Sequence, residues 1–360
     1  MRAAVCYEFG KPLVIEEIEI DPPQTGEVLV KVVACAICHS DVHKIRGDWG
    51  GKLPTVAGHE AAGVAAAVGP GVTLIQPGDH VVMSLLRACG RCFFCNQGQP
   101  HLCSAEFALT TESRLHAADG SSIEQGIKVA GFAEYAVVDQ SQLVSIPKDI
   151  PLDSASLLAC GVITGLGAVV NTAKVGPGQS VVVIGVGGVG LNAIQGAALS
   201  GGDPIIAVDL LDSKLEAALA FGATHAVNGR DGEAVIEKVQ SLTGGRGADY
   251  VFITVGSPAA VAQGIPLTRR GGTLVLVGIP DDRATHPLPL AQTVWREQRI
   301  LGSSMGSTRL STQVPQLVSL YLSGRLKLDE LISARFPLEQ INEAIASMET
   351  GQALRNVIML

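Results

Sequence analysis

The stretch VVVIGVGGVG, residues 181–190, decides the fold of this 360-residue chain. Its first four residues are β-branched and predict a buried strand, and the run that follows is typical of a helix. Between them, Gly185 permits a tight turn, Gly187 lets backbone approach a phosphate, and Gly190 lets the helix pack on the strand. Gly188 opens the helix, whose first N–H groups are free to bind phosphates. The stretch therefore predicts the phosphate-binding turn of a dinucleotide site.

A carboxylate stands where the next strand of such a unit would end. Asp209 follows Gly190 by 19 residues and closes the strand-like run Ile205–Asp209. At that point it would accept hydrogen bonds from both ribose hydroxyls of a dinucleotide and would repel a 2′-phosphate. We therefore expect NAD as the cofactor in preference to NADP. The alternative is that these glycines only form a tight turn in an α/β fold.

The chain divides into two patterns. Strands alternate with helices over residues 162–304, which predicts a doubly wound parallel sheet with helices on both faces. Residues 1–161 alternate in a β manner between glycine-marked turns and predict a compact, mostly antiparallel β domain. Residues 305–360 are expected to rejoin that domain, and residues 104–131, which have no clear period, to form a loop near the active site. The active site is expected in the cleft at the carboxyl ends of the parallel strands.

Composition excludes several classes of function. Apolar residues make up 47% of the chain, and its length suits two domains. The formal net charge is −8 without a basic run, so nucleic acids and anionic membrane surfaces are not expected as partners. The N-terminal residues lack the pattern of a signal peptide, and no apolar run of about 18 residues predicts a membrane span. We expect a cytoplasmic location.

Four of the eight cysteines lie close together in sequence. They are Cys89, Cys92, Cys95 and Cys103. Four thiolates close a tetrahedral shell around zinc and leave no open position, which predicts a structural zinc on a short lobe spanning residues 89–103. The alternative is a pair of disulfides or four thiols without metal. Cys6 and Cys35 fit neither zinc set and are predicted to fill the core.

The stretch CHSDVH, residues 38–43, places a thiol, a hydroxyl, a carboxylate and two imidazoles within six positions. Cys38, His59 and Cys160 would supply the three ligands of a catalytic zinc, which keeps a fourth position open for substrate. Taken singly, each has a plainer interpretation. Cys160 would be a small core residue, and His59 a core imidazole with its hydrogen bonds made.

Together these motifs resemble those of the zinc-dependent medium-chain alcohol dehydrogenase family. CHSD at 38–41, GHEAAG at 58–63 and the four-cysteine lobe follow the order of the family, and the resemblance covers nearly the whole chain. It implies an α/β protein with a GroES-like, mostly antiparallel β catalytic domain of residues 1–161 and 305–360. Residues 162–304 would form a Rossmann coenzyme domain. The resemblance also implies two zinc ions per chain, NAD and a small-molecule alcohol or aldehyde as substrate.

The resemblance assigns catalytic roles to four further residues. Asp41 would hold His59 in the tautomer that binds zinc. Ser40 would accept the alcohol proton and His43 would pass it to solvent, unless His43 is only a solvated surface histidine. Glu60 would lie near the metal, and its alternative role is that of a buried carboxylate paired with an arginine.

The same resemblance implies contacts with cofactor and substrate. Lys214 would contact the adenosine ribose, His39 and Arg355 the pyrophosphate, and Thr164 and Val189 the nicotinamide ring. The side chains expected to line the substrate pocket are all apolar, which predicts an apolar substrate tail; they are Trp49, Leu85, Phe107 and Ile279, the last of these also near the cofactor.

Three functions compete. The leading one is reversible oxidation of primary alcohols to aldehydes. A polyol or other secondary-alcohol dehydrogenase is the second, although Cys160 stands where sorbitol-type members carry Glu. A non-catalytic or quinone-reductase-like relative is the third, and both complete metal sets argue against it. Trp49 and Phe107 also argue against the glutathione-linked formaldehyde branch, which carries an acidic residue and an Arg there. Pairing of two chains through the edge strand 299–303 is expected, giving a homodimer or homotetramer.

Overall fold

The computed structural model describes residues 1–351 and 353–360. It contains two compact units, one of residues Met1–Cys160 and Arg309–Leu360 and the other of residues Gly161–Thr308. The sequence had placed these borders after residues 161 and 304. Among the described residues no single helix is long and apolar enough to cross a membrane, although the successive helices Leu152–Ala159 and Gly161–Ala173 pass that test as a bent pair.

The elements follow the chain in three groups. The first group comprises β1 (Arg2–Cys6), β2 (Val14–Glu17), β3 (Glu19–Ile20), β4 (Glu27–Ala36), α1 (His39–Arg46), β5 (Thr55–Val56), β6 (Glu60–Val68), β7 (His80–Met83), α2 (Phe93–Asn96), α3 (Ala108–Thr111), β8 (Leu115–His116), β9 (Ser122–Gln125), β10 (Tyr135–Asp139), β11 (Leu143–Ile146) and α4 (Leu152–Ser156). The second comprises α5 (Gly161–Gly167), β12 (Val181–Ile184), α6 (Gly188–Leu199), β13 (Ile205–Asp209), α7 (Asp212–Ala220), β14 (His225–Asn228), α8 (Gly232–Leu242), β15 (Ala248–Ile253), α9 (Pro258–Leu267), β16 (Thr268–Leu276), α10 (Leu290–Trp295) and β17 (Arg299–Gly302). The third comprises α11 (Leu310–Leu322), β18 (Ile332–Pro337), α12 (Ile341–Glu349) and β19 (Arg355–Met359).

The first unit contains two mostly antiparallel sheets. One has the order β11-β7-β6-β4-β19-β18, with β10 also pairing β4, and the other has the order β2-β1-β5-β9-β8-β3. Strand β19 pairs antiparallel with β4, so residues 309–360 complete the larger sheet. Buried residues from both sheets form one core, in which Cys6 and Cys35 are packed as predicted.

Residues 104–131 differ from the predicted loop. They contain the short helix α3 and the antiparallel hairpin of β8 and β9, in which Leu115 pairs with Ile123. The hairpin is fixed by a buried ion pair, because Arg114 Nη2 lies 2.8 Å from Glu27 Oε1 on β4. Both side chains are 4% exposed. Two-residue and four-residue strands are too short to produce a visible alternation, which is why the sequence pattern failed here.

The second unit is a six-stranded parallel sheet with the order β14-β13-β12-β15-β16-β17. This order confirms the predicted doubly wound fold, whose reversal point lies between β12 and β15. Strand β12 is a buried apolar run and β15 ends in one at residues 251–253, as is typical of parallel strands covered on both faces. Their side chains pack with Val235 and Val239 of α8 and with Leu267 of α9 in a single cluster.

Candidate metal centre and cofactor site

Strand register explains why Cys38 and His59 meet. In the antiparallel pair of β4 and β6, Ala36 lies opposite Glu60. Cys38 follows the end of β4 by two residues, and His59 immediately precedes β6. The two ligands therefore emerge at the same end of the larger sheet, although 20 residues separate them in sequence.

The carboxylate of Asp41 links the two segments that carry Cys38 and His59. Its Oδ2 accepts a hydrogen bond from the backbone N–H of Cys38 at 3.1 Å, while Oδ1 accepts from Gly58 N–H at 2.9 Å. Oδ1 also lies 2.9 Å from His59 Nδ1. Asp41 and His59 are both fully buried. A hydrogen bond from Nδ1 leaves Nε2 as the nitrogen with a free lone pair, which is the form of imidazole that binds zinc.

The side chains of Cys38, His59, Glu60 and Cys160 converge. Their ligand atoms all lie within 4.8 Å of one another. His59 Nε2 is buried and has no hydrogen-bond partner among the described residues, a condition that is costly for a polar atom unless something binds it. Two thiols and this nitrogen are the ligand types that zinc prefers. The cluster therefore fits a zinc ion.

Contacts within the cluster shift the pKa values of its members in different directions. The thiol of Cys160 donates a hydrogen bond to Cys38 and, with nearby His59, holds the pKa of Cys38 well below its usual range, against burial. The same contact and burial raise the pKa of Cys160. Burial lowers the pKa of His59, but the charge and hydrogen bond of Asp41, together with those of Cys38, outweigh burial and leave that pKa raised. A lowered pKa favours the thiolate of Cys38, which is the form that ligates metals.

Glu60 is paired with an arginine. Its Oε1 lies 2.5 Å from Nη2 of Arg355, and both side chains are buried. Burial raises the pKa of Glu60 to about 7, although the charge of Arg355 opposes the shift. Register again explains the contact, because Val357 of β19 lies opposite Ala36 and places the start of β19 beside the start of β6. The structure shows the arginine pairing foreseen for Glu60; the pyrophosphate role of Arg355 stays a prediction.

The second candidate metal site lies on residues 89–103. The sulfur atoms of Cys89, Cys92, Cys95 and Cys103 lie within 4.8 Å of one another. Backbone N–H groups point at the sulfurs, since Cys89 N–H donates to Cys103 Sγ and Cys92 N–H to Cys89 Sγ, each at 3.3 Å. Backbone N–H groups, chiefly that of Cys95, lower the pKa of Cys92 to about 6, while burial raises the pKa of Cys95 to about 12. Four convergent sulfurs fit a closed zinc shell.

The glycine-rich turn follows β12. Gly185 has a φ of +89°, and a Cβ at Gly190 would lie 2.1 Å from the Gly185 carbonyl oxygen. Only glycine therefore lets α6 begin so close to the strand. A Cβ at Gly187 would meet nothing nearer than Lys214 Nζ at 4.0 Å. The turn thus leaves room at Gly187 for a phosphate, which fits a dinucleotide.

Asp209 lies directly beside this turn. Its Oδ2 accepts a hydrogen bond from Val186 N–H at 2.8 Å, and Oδ1 accepts from Leu211 N–H at 3.1 Å. Each carboxylate oxygen has a second lone pair, so both remain able to accept from ribose hydroxyls. Helix α5 packs closely on the start of α6, because a Cβ at Gly165 would lie 2.1 Å from the Val189 carbonyl oxygen. Thr164 therefore lies near Val189, and the contact of both residues with the nicotinamide ring stays a prediction.

The predicted pocket residues belong to different units. Trp49, Leu85 and Phe107 lie in the first unit, and Ile279 lies in the second, where its side chain is exposed. The guanidinium of Arg87 lies over the Phe107 ring, 5.7 Å from the ring centroid. Phe107 immediately precedes α3. His39 and Ser40 lie in the first turn of α1.

Sequence reasoning missed the residues that fix α1. Lys44 is buried, and its Nζ lies 2.7 Å from Oε2 of Glu124 on β9. This pair ties the helix that carries Ser40 and His43 to the hairpin of residues 115–125. The nearest sequence signal is a lysine on the apolar side of a helix, between Val42 and Ile45, where an unpaired charge would be costly.

Comparison with known proteins gives the family. Residues 24–148 match the model described as alcohol dehydrogenase GroES-like domain, and residues 188–323 match the model described as zinc-binding dehydrogenase. The NDMA-dependent alcohol dehydrogenase of Amycolatopsis methanolica is 39% identical over 99% of this chain and 98% of its own length. The S-(hydroxymethyl)glutathione dehydrogenase of Paracoccus denitrificans is 37% identical over 99% of both chains.

Solved structures agree with this result. An alcohol dehydrogenase zinc-binding domain protein from Burkholderia ambifaria has a TM-score of 0.95 at 37% identity, over 100% of this chain and 98% of its own. The benzyl alcohol dehydrogenase of Acinetobacter calcoaceticus has a TM-score of 0.91 at 34% identity, over 100% and 99% of the two chains. The chain belongs to the zinc-dependent medium-chain alcohol dehydrogenase family and is an enzyme of alcohol oxidation.

Proposed function

We propose that the protein oxidises primary alcohols with an apolar tail to aldehydes, reversibly, and passes the hydride to NAD. The observation that carries this proposal is the cluster of Cys38, His59 and Cys160, in which the buried Nε2 of His59 has no hydrogen-bond partner in the part of the chain that the structure describes. The open glycine turn and the carboxylate of Asp209 support NAD as the acceptor. The apolar side chains of Trp49, Leu85 and Phe107 support the substrate class.

The residues of the chain have distinct tasks in this reaction. Cys38, His59 and Cys160 would hold the catalytic zinc, and Asp41 keeps the His59 ring turned toward it. When bound, the zinc supplies Lewis-acid stabilisation of the substrate oxygen, and NAD supplies the hydride acceptor. Ser40 takes up the proton of the alcohol hydroxyl. Ser40 and His43 lie three residues apart on α1 and so share one face of the helix, along which the proton can be passed outward.

The proposal is tested by steady-state rates on a panel of alcohols and aldehydes. Benzyl alcohol, a straight-chain primary alcohol, a polyol, a secondary alcohol and S-(hydroxymethyl)glutathione represent the competing substrate classes. Each is offered with NAD, with NADP and with NDMA as acceptor, because the relatives differ in these respects. We expect the highest kcat/KM with the apolar primary alcohols and NAD. Preference for the polyol or the glutathione adduct, or turnover with NDMA but not with NAD, would contradict the proposal.

Asp209 provides a test of cofactor choice. We expect Asp209→Gly to lower kcat/KM with NAD by about tenfold or more, because a hydrogen bond to a charged group contributes roughly 1.5–3 kcal/mol. Activity with NADP should rise, because the repulsion of the 2′-phosphate is gone. The matched control is Asp209→Asn, which removes the charge but keeps an acceptor for the Val186 N–H. A wild-type enzyme that already uses NADP as well as NAD would show that Asp209 does not select the cofactor.

We also propose that two chains pair through the edge of the parallel sheet. Strand β17 ends the sheet, and its only sheet neighbour among the described residues is β16. Beside it, α10 exposes Leu290, Val294 and Trp295, the last at 78%. An unpaired apolar edge favours association. We expect Trp295→Asp to lower the mass measured by light scattering from that of a dimer or tetramer to that of a monomer. The control Leu219→Asp, also at an exposed leucine of this unit, should leave the mass unchanged.

A further inference from the structure

Helix α1 ends in a Schellman motif. Gly47 has a φ of +79°, its N–H donates to Lys44 C=O at 3.2 Å, and Asp48 N–H donates to His43 C=O at 3.0 Å. This backbone arrangement brings together the side chain in the last helical turn and the side chain of the second residue beyond the helix. In this motif the two side chains are frequently apolar. Here they are the imidazole of His43 and the carboxylate of Asp48.

The His43 ring is held from two directions. Its Nδ1 lies 2.7 Å from Asp48 Oδ2, and the two side chains are 30% and 34% exposed. Trp49, the next residue, stacks on the ring with the centroids 5.0 Å apart and the planes inclined by 27°. The carboxylate therefore engages one nitrogen while the indole covers one face. Nε2 is the nitrogen left for another partner.

We propose that Asp48 is a positioning residue for proton release. It keeps the neutral His43 in the tautomer with the proton on Nδ1, so that the lone pair of Nε2 receives the proton that leaves Ser40. The charge of Asp48 then offsets the positive charge of the imidazolium, and Nε2 gives its proton to water or buffer. Protons and electrons balance as in the proposed reaction, because the alcohol loses one hydride to NAD and one proton to solvent. The inference rests on the proposed function.

The chain contains a reference pair of the same chemistry. His116 on β8 lies 2.8 Å from Asp21 through Nε2 instead of Nδ1, and these side chains are 27% and 47% exposed. No catalytic or binding role is assigned to either residue. Asp21 should therefore fix His116 in the opposite tautomer, with the proton on Nε2. Asp21→Asn is accordingly the matched control for Asp48→Asn.

The first arm of the test reads the tautomers directly. The full chain, loaded with zinc and labelled with ¹⁵N-histidine, is studied by NMR about two pH units above the ordinary histidine pKa of about 6.5. His43 is assigned from the signals missing in His43→Gln. We expect its proton on Nδ1 in the wild type and on Nε2 in Asp48→Asn, because the amide donates to Nδ1. A proton on Nε2 in the wild type, or a tautomer unchanged in Asp48→Asn, would overturn the proposal.

The second arm separates positioning from structural support. We expect Asp48→Asn to lower kcat for alcohol oxidation about tenfold, with KM for the alcohol within about twofold, and added buffer base to restore part of the rate. Asp21→Asn should keep the wild-type kcat. In a His43→Gln background, Asp48→Asn should have no further effect, because its partner is gone. A further tenfold loss there would show that Asp48 acts on something else. A wild-type chain inactive on every alcohol would refute the proposed function, whereas the NMR arm would still report on the His43 tautomer.

Discussion

Cys38→Ala should abolish alcohol oxidation and leave a folded protein. We expect kcat to fall about a thousandfold or more, because Lewis-acid stabilisation contributes several kcal/mol and each 1.4 kcal/mol is a tenfold change in rate. Folding should persist because Asp41 still bonds Gly58 and His59, and because the residues of the larger sheet remain in place. His59→Ala should have the same effect on turnover.

Zinc content, turnover and NAD binding are measured on the same preparation of each variant. Zinc should fall from about two ions per chain to about one, while the NAD binding that we propose for the glycine-rich turn and Asp209 remains. The matched control is Cys35→Ala. Cys35 is buried on β4, burial raises its pKa, and its sulfur belongs to neither group of converging ligand atoms among the described residues. Normal turnover in Cys38→Ala, or loss of zinc in Cys35→Ala, would contradict the assignment of this site.

Cys95→Ala should destabilise the structure of the protein and should not act directly on the reaction. The lobe of residues 89–103 has no buried side chain in α2, so its shape depends on the metal, on N–H···S bonds and on a tether in which Arg309 Nε donates to the Gly98 carbonyl at 2.7 Å. Opening a four-thiolate shell removes most of that support. We expect the melting temperature to fall by roughly 10 °C, which corresponds to about 4 kcal/mol at 2–4 °C per kcal/mol for domains of this size.

Limited proteolysis and calorimetry check this expectation. Cleavage within residues 89–103 should be fast in Cys95→Ala and slow in the wild type. Phe93→Ala is the matched control, because Phe93 lies on the same lobe and is 70% exposed, so its removal costs little burial. A Cys95→Ala protein with an intact lobe and no activity would show that the four cysteines serve the reaction and do not serve structure.

The sequence predicted those elements whose residues follow a clear local pattern. The parallel sheet could be predicted because β12, β13 and β15 each contain an apolar run of four residues. The metal ligands could be predicted because Cys and His have few other uses at such spacings. The hairpin at residues 115–125 could not be predicted, because its strands are too short to show an alternation of apolar and polar residues. In addition, the hairpin is anchored by the pair of Arg114 and Glu27, which are 87 residues apart in sequence.

The helix-end contact of His43 with Asp48 was not predicted for a different reason. A glycine such as Gly47 indicates where a helix ends, but it does not indicate which side chains meet at that end. The partner of Glu60 illustrates the same limit, since the sequence suggested some arginine and only strand register identifies Arg355. Pairings over long sequence distances are fixed by tertiary packing, which no local pattern records.

The two candidate zinc sites differ in how much of the chain must be synthesised before each can form. All four ligands of the lobe lie within residues 89–103, so they are present together early, and a ribosome that adds about 5–20 residues per second exposes them within seconds. The other site needs Cys160, and the sheet beneath it is complete only when β19 pairs with β4. We therefore expect the nascent protein to bind metal in a fixed order, first at the lobe of residues 89–103 and then, after the last strand is made, at the site of Cys38, His59 and Cys160.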